Sequence, residues 1–236
     1  MTDPALGNLL SELDATPTPA VARFDSGGPF RGRLAFLPSA YNPPTLAHVD
    51  LLESALEVDG VKHVAAMLTT RNVAKHVFGA SLHDRVAMLL ELHHERPELA
   101  VLAANAARII DQANALSTAL GDVGVDAIVG FDTLERLFDP RYYADMEREL
   151  APFFERHRVI AANRGSHGVT DVEAWVHANA GVFAGRILVR EIQAYAASLS
   201  STMVRDSLAA GLDELAVSPA VRRYIEQHRL YRPPAT

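Results

Sequence analysis

From residue 33 onward the apolar positions change period repeatedly. Short continuous apolar runs alternate with stretches in which apolar residues recur every three or four positions. The runs are RLAFLPS (33–39), KHVAAMLT (62–69), LAVLAAN (99–105), VDAIVGF (125–131), HRVIAANR (157–164) and RILVREI (186–192). Each has the length of a strand. Helical spacing lies between them, clearest in LAHVDLLESALEV (46–58) and in SLHDRVAMLLELHHE (81–95), where Ser81 is placed to cap and Asp84 follows three residues on. Two further helical patterns, 201–210 and 218–228, close the chain. Strands of continuous apolar character separated by helices predict a parallel sheet covered on both faces. With right-handed crossovers this is an α/β, doubly wound, Rossmann-like fold with flanking helices and a C-terminal helical segment.

The first 32 residues read differently. Residues 3–14 form a short amphipathic pattern, with Asp3 as cap, Pro4 in the first turn and Leu6, Leu9, Leu10 and Leu13 in one stripe. The proline- and glycine-rich stretch TPTPAVARFDSGGPFRGR then reads as a linker or surface loop. The expected organisation is an N-terminal helix and linker over 1–32 and one domain over 33–232.

Composition narrows the function classes. Apolar residues make up 49% of 236, enough for a full core without staples, and the absence of cysteine removes disulfides and thiolate metal sites. A formal net charge of -7 argues against a protein that coats nucleic acid or an anionic membrane, but leaves room for a phosphorylated small molecule held by a few cations in a cleft. The acidic N-terminus lacks the pattern of a signal peptide, and no apolar run approaches the ~20 residues of a membrane span, so a cytoplasmic location is expected. A homo-oligomer is compatible with the chain.

Ligands of doubly wound folds bind beyond the carboxyl ends of the strands, and two segments there carry candidate chemistry. After the first apolar run comes AYNPPT. Asn42 can cap a helix, the prolines fix φ where no backbone donor is needed, and Thr45 and His48 fall three apart on one face of the first turn. A helix N-terminus with a hydroxyl and an imidazole favours an anion. Near the end of the chain, LSSTMVRDSL (199–208) offers Ser200 or Ser201 as cap and places Arg205 one turn beyond Ser201 and Thr202, where a planar fork can meet a phosphate. Either segment alone is weak. Two such helix ends, opening and closing one parallel sheet, suit a polyphosphate. His93 and His94, at a helix end, carry only the ordinary preference of cations for that position.

YNPPTLAH resembles the nucleotide-binding signature of the nucleotidylyltransferase superfamily, which carries H-x-G-H or T-x-G-H, and LSSTMVR resembles its I-S-S-T-x-x-R motif. Within the superfamily the likeness is to the nicotinamide or nicotinate mononucleotide adenylyltransferases, in a divergent branch. Three more segments share it: VGFDTLERLF resembles the G-x-D segment, NVAKHVFGASLHDRVAML the lysine followed by R-x-x-M, and PAVRRYIEQHRLY the closing V-x-x-Y-I-x-x-x-x-L-Y. The likeness covers 33–231. Two features depart from the pattern: LPSAY stands where glycines are common, and Ala47 replaces the glycine of T-x-G-H.

The resemblance implies adenylyl transfer from ATP to the phosphate of a mononucleotide, with release of pyrophosphate and Mg²⁺ carried on the phosphates. His48, Thr45 and Arg205 are then the catalytic candidates: His48 on the α-phosphate, Thr45 seating phosphates, Arg205 on the departing pyrophosphate. ATP would meet Ser39, Tyr41, Asn42, Gly130, Asp132, Ser200, Ser201, Thr202 and Arg205, with Asp132 on the ribose; a helix cap is the competing role for Asp132. The acceptor would meet Arg71, Asn72, Lys75, Arg164 and the aromatics Phe138, Tyr142 and Tyr143. The family often uses Trp in the last region, whereas Trp175 lies further along. A cytidylyltransferase or phosphopantetheine-type adenylyltransferase, and a nucleotide-binding module without turnover, remain open alternatives. No dedicated metal site in the protein is expected.

Overall fold

A computed structural model describes residues 4–71, 79–163, 165, 167–212 and 216–232. The elements run α1 (Pro4–Ala15), β1 (Val21–Arg23), β2 (Arg33–Ser39), α2 (Leu46–Leu56), β3 (Val61–Thr69), α3 (Leu82–Glu95), β4 (Leu99–Ala104), α4 (Ile109–Ala119) and β5 (Asp126–Gly130). They continue with α5 (Phe131–Leu137), α6 (Met146–Arg156), β6 (Arg158–Ala162), α7 (Val169–Asn179), β7 (Ile187–Arg190), α8 (Ala194–Ser198), α9 (Ser201–Ala209) and α10 (Pro219–Gln227). Short 3₁₀ turns occupy Pro140–Tyr142 and Gly181–Arg186.

Seven strands form one sheet in the order β1-β4-β3-β2-β5-β6-β7, and every pairing is parallel except β1 with β4. The six parallel strands are those expected from the apolar runs, and the fold is the Rossmann-like α/β architecture. Alternation along the strands divides two cores. Ala35 and Leu37 of β2 and Val64, Ala66 and Leu68 of β3 face α1, α2, α3 and α10. Leu34 and Phe36, with Ala65 and Met67, face α4, α5, α6 and α7. Continuous apolar runs follow from burial on both faces.

The N-terminal segment departs from expectation. The stretch read as a linker contains β1, which pairs antiparallel with β4 through Val21↔Ala104, Ala22↔Ala103 and Arg23↔Leu102. Leu6, Leu10 and Leu13 of α1 join the core. Asn105, itself buried, ties the segment down: its Nδ2 donates to the carbonyls of Leu13, Thr16 and Thr18 at 3.0, 2.9 and 3.1 Å, and its Oδ1 accepts from Ala20 N at 2.7 Å. A three-residue strand flanked by prolines carries no local signal; pairing across 80 or so residues makes it. Asp3, expected to cap α1, lies outside the described residues.

The strand order reverses around β2, so β2 and β5 flank the switch point. There the ladders differ in length. β2 pairs with β3 as far as Ser39↔Leu68, but with β5 only at Ala35↔Asp126 and Phe36↔Ala127. The two strands therefore part beyond Phe36. Pro38, which has no N–H to donate, falls where the β5 ladder has ended. The crevice of the fold opens at this place.

Candidate active site

The turn after β2 delivers the first helix end. Thr45, extended at φ -118°, is the N-cap of α2, and His48 is its third helical residue. Asn42, expected as a cap, does not serve as one. The His48 ring closes the cap reciprocally: its Nδ1 accepts from Thr45 N at 3.0 Å and lies 2.8 Å from Thr45 Oγ1. A ring nitrogen that accepts from a backbone N–H carries no proton itself, so the neutral ring holds its proton on Nε2. That nitrogen faces Ser39 Oγ at 3.0 Å, at the end of β2 and the mouth of the crevice. The fold thus presents an imidazole N–H, in a set tautomer, at the switch point.

The second helix end meets the first. Ser200 caps α9 by accepting from Met203 N at 3.2 Å, and Ser201 Oγ donates to Pro43 O at 2.8 Å. Arg205 donates through Nη1 to Asn42 O at 2.6 Å and through Nη2 to Thr202 Oγ1 at 3.0 Å. Gln193 N, ahead of α8, donates to Asp50 Oδ2 of α2 at 2.8 Å. Motifs separated by about 160 residues therefore share one turn, Ala40 to Thr45, in which the Asn42–Pro43 bond is cis. Two helix N-termini and a guanidinium converge on it, an arrangement that favours an anion with several oxygens.

Gly130 ends β5 as the N-cap of α5, without a side-chain cap bond, and Asp132 stands exposed in the first turn. The capping role open to Asp132 in the sequence belongs to Gly130. Continuing the β2–β5 register by three residues from Phe36↔Ala127 puts Ser39 level with Gly130, so the G-x-D segment borders the same crevice.

Several expected contacts are used otherwise. The Tyr41 side chain is fully buried and donates to Leu37 O at 2.7 Å, so it is core rather than a ligand-facing group. Asn42 turns its Oδ1 to Ala80 N and the Tyr231 hydroxyl, at 3.2 and 2.9 Å. Thr45 is 1% exposed; its hydroxyl orients His48 instead of seating phosphates. Phe138 is buried among Phe154, Trp175 and Phe183 and offers no face to an acceptor, while Tyr143 is half-buried and its hydroxyl donates to Leu137 O at 2.6 Å. Tyr142 is 64% exposed on a 3₁₀ turn. Arg71 donates to Asp14 O at 2.6 Å, joining the end of β3 to the end of α1. Asn72, Lys75 and Arg164 lie outside the described residues.

One residue of the site was quoted in a motif but given no role. Arg85, the arginine of R-x-x-M, is 2% exposed beneath the turn. It donates to Ala80 O at 2.9 Å and Ala40 O at 3.4 Å, while its Nη2 has no partner among the described residues. Burial, then the nearby positive charge of Arg205, holds its pKa below the usual arginine value, with Tyr231 acting in the opposite direction. An arginine on the apolar side of an amphipathic helix was the available signal.

No family model matches the chain. The chain is 29% identical over 138 residues to a putative nicotinamide mononucleotide adenylyltransferase of Schizosaccharomyces pombe; the match takes in 57% of this chain and spans about half, 54%, of that relative. Two solved structures of Plasmodium falciparum nicotinic acid mononucleotide adenylyltransferase superpose over 85% of this chain and 98% of theirs. One, complexed with NaAD, has a TM-score of 0.64 at 13% identity. The other, complexed with APC, has a TM-score of 0.61 at 12% identity. The chain thus has the fold of those proteins, and the sequence match supports the resemblance to the nucleotidylyltransferase superfamily, on the side of the mononucleotide adenylyltransferases.

Proposed function

We propose that the protein transfers the adenylyl group of ATP to the phosphate of nicotinamide or nicotinate mononucleotide, forming a dinucleotide and releasing pyrophosphate. The observation that carries the reading is the single turn that His48 brackets, at Ser39 and Thr45, and that the Arg205 fork reaches at Asn42. The acceptor phosphate is already a nucleophile near neutral pH, so the reaction requires in-line placement and charge stabilisation rather than a strong base. His48, whose Nε2–H now faces Ser39 Oγ, would hand that proton as a hydrogen bond to an oxygen of the α-phosphate. The helix end at Ser200, Ser201 and Thr202 would hold the outer phosphates, and Arg205 would balance charge on the leaving pyrophosphate. Asp132, exposed beside the crevice, would take the ribose hydroxyls.

Mg²⁺ fits this site as a passenger of the phosphates. Among the described residues no three His, Cys, Asp or Glu come together as a metal cage, and hydroxyls, N–H groups and cations line the turn. Phosphate oxygens and water suit a magnesium ion, which would neutralise charge on the transferred group. No helix of the described residues is long and apolar enough to cross a membrane.

The test is pyrophosphate release by the purified chain with Mg²⁺, crossing ATP and CTP with nicotinamide mononucleotide, nicotinate mononucleotide and phosphopantetheine. Release with ATP and a pyridine mononucleotide alone is expected. Release with another pair moves the function to a sister activity, and ATP binding without release favours a module that has lost turnover. In the active pair, His48→Ala should lower kcat on the order of a hundredfold with folding intact; unchanged turnover removes His48 from the chemistry.

A further inference from the structure

The C-terminal tail reaches into the phosphate turn. Past α10, Arg229 and Tyr231 both adopt positive φ, 51° and 63°, and the Tyr231 hydroxyl donates to Asn42 Oδ1 at 2.9 Å across 189 residues. Burial holds its phenol above the ordinary tyrosine pKa, which keeps it a donor. From the other side Gly79, at φ 112°, presses close: a Cβ there would stand 2.8 Å from Asn42 Oδ1 and 3.0 Å from the Tyr231 ring. Ala80 N completes the clamp on the Asn42 side chain.

Asn42 is also where Arg205 is aimed. Its carbonyl accepts from the guanidinium, as does Thr202 Oγ1. The residue before it, Tyr41, sits at φ 44°, a conformation that a bulky side chain keeps only where its surroundings over-determine it. The turn is held by Tyr41 on Leu37 O, by Arg85 on Ala40 O, by Ser201 on Pro43 O, and by Tyr231 on the Asn42 side chain. Three of these anchors come from the sheet, the adjoining helix α3 and helix α9. Tyr231 comes from the last turn of the described chain.

We infer that Tyr231 is a positioning residue: by fixing Asn42 it sets the direction of the Arg205 fork, so the tail takes part in phosphate binding without touching substrate. The inference rests on the adenylyl-transfer reading. It is tested on the full chain with Tyr231→Phe, Arg205→Ala and the double variant, by steady-state pyrophosphate release with ATP, Mg²⁺ and nicotinamide or nicotinate mononucleotide. Tyr231→Phe keeps the ring and removes one hydrogen bond. It should lower kcat about tenfold and raise KM for ATP, while KM for the mononucleotide stays within about twofold. In the Arg205→Ala background the same change should cost less than about twofold, because the group it aims is gone. A purely structural tyrosine would give equal losses in both backgrounds. That result, or unaltered kcat in Tyr231→Phe, overturns the inference. Should the phenylalanine variant not fold, Tyr231→His, which offers a shorter N–H donor, carries the same cycle. If the unaltered chain releases no pyrophosphate, the adenylyl-transfer reading fails separately, and the cycle is read in ATP affinity by calorimetry: a non-additive loss keeps the positioning role and an additive or absent loss removes it.

Discussion

The two ends of the sheet treat buried charge in opposite ways. At the amino ends of the strands Asp126 is wholly buried, yet it is bracketed by Arg33 at 2.6 Å and Arg158 at 2.6 Å. Next to it His157 is buried and neutral, accepting from Val125 N at 3.2 Å. The buried carboxylate there is answered by two arginines of the protein itself. At the carboxyl ends Arg85 is as buried, and Arg205 half-buried, but among the described residues neither has a carboxylate partner. Both lean on backbone carbonyls, and Arg85 leaves Nη2 without a partner. A charge network that closes on itself is architecture. Cations held by carbonyls and a hydroxyl, with no carboxylate, leave room for an anion to complete them.

The comparison breaks most sharply at Asp126. Asp126→Ala leaves two arginines without their common partner and should cost about 3–5 kcal/mol of stability in urea unfolding, with the fold otherwise retained at low denaturant. A loss below about 1 kcal/mol would mean that the amino-end network is no more closed than the other.

The next effect is in pH. Burial first, and then Arg156 and Arg33, lower the His157 pKa from 6.5 to about 4, against the opposing charge of Asp126. Between those values the unfolded chain binds the proton that the folded chain refuses. Stability should therefore be intact above pH 6.5 and fall as the pH drops towards 4, by on the order of 1–3 kcal/mol. His157→Gln should flatten that portion of the urea midpoint against pH, and parallel curves for the two proteins would dismiss it.

The smallest effect sharpens the carboxyl end. Arg85→Met substitutes an apolar side chain of similar length for a buried cation that has no counter-charge. It should leave stability within about 1 kcal/mol of the unaltered chain, while lowering affinity for ATP in calorimetry. A destabilisation comparable to that of Asp126→Ala would show that Arg85 is structural first.

Much of the candidate site was legible as two motifs and little of it as contacts. Thr45, His48, Ser200, Ser201, Thr202 and Arg205 were identified because a hydroxyl or basic residue at a helix start has a local chemistry that spacing reveals. Which way each points has no local signature. Tyr41 and Phe138 share the composition of ligand-facing aromatics but are taken up by the core, and the Tyr143 hydroxyl spends its donor on Leu137 O. Arg71 looks like an available cation after a strand and is instead tied to the end of α1. The Tyr41 and Tyr143 hydroxyls are taken up by carbonyls four and six residues back, and Arg71 by one 57 residues away.

The same division holds for the whole protein. Local sequence suffices for the six parallel strands, the helices between them and the residue types offered at the strand ends, because burial on both faces and helical spacing are written in consecutive residues. The tertiary structure alone decided that a proline-flanked triplet becomes the edge strand β1, that β2 and β5 part beyond Phe36, and that Arg205, Tyr231 and Gly79 meet at Asn42. Those outcomes depend on hydrogen bonds and packing between segments as much as 189 residues apart, and no local propensity encodes a partner at that distance.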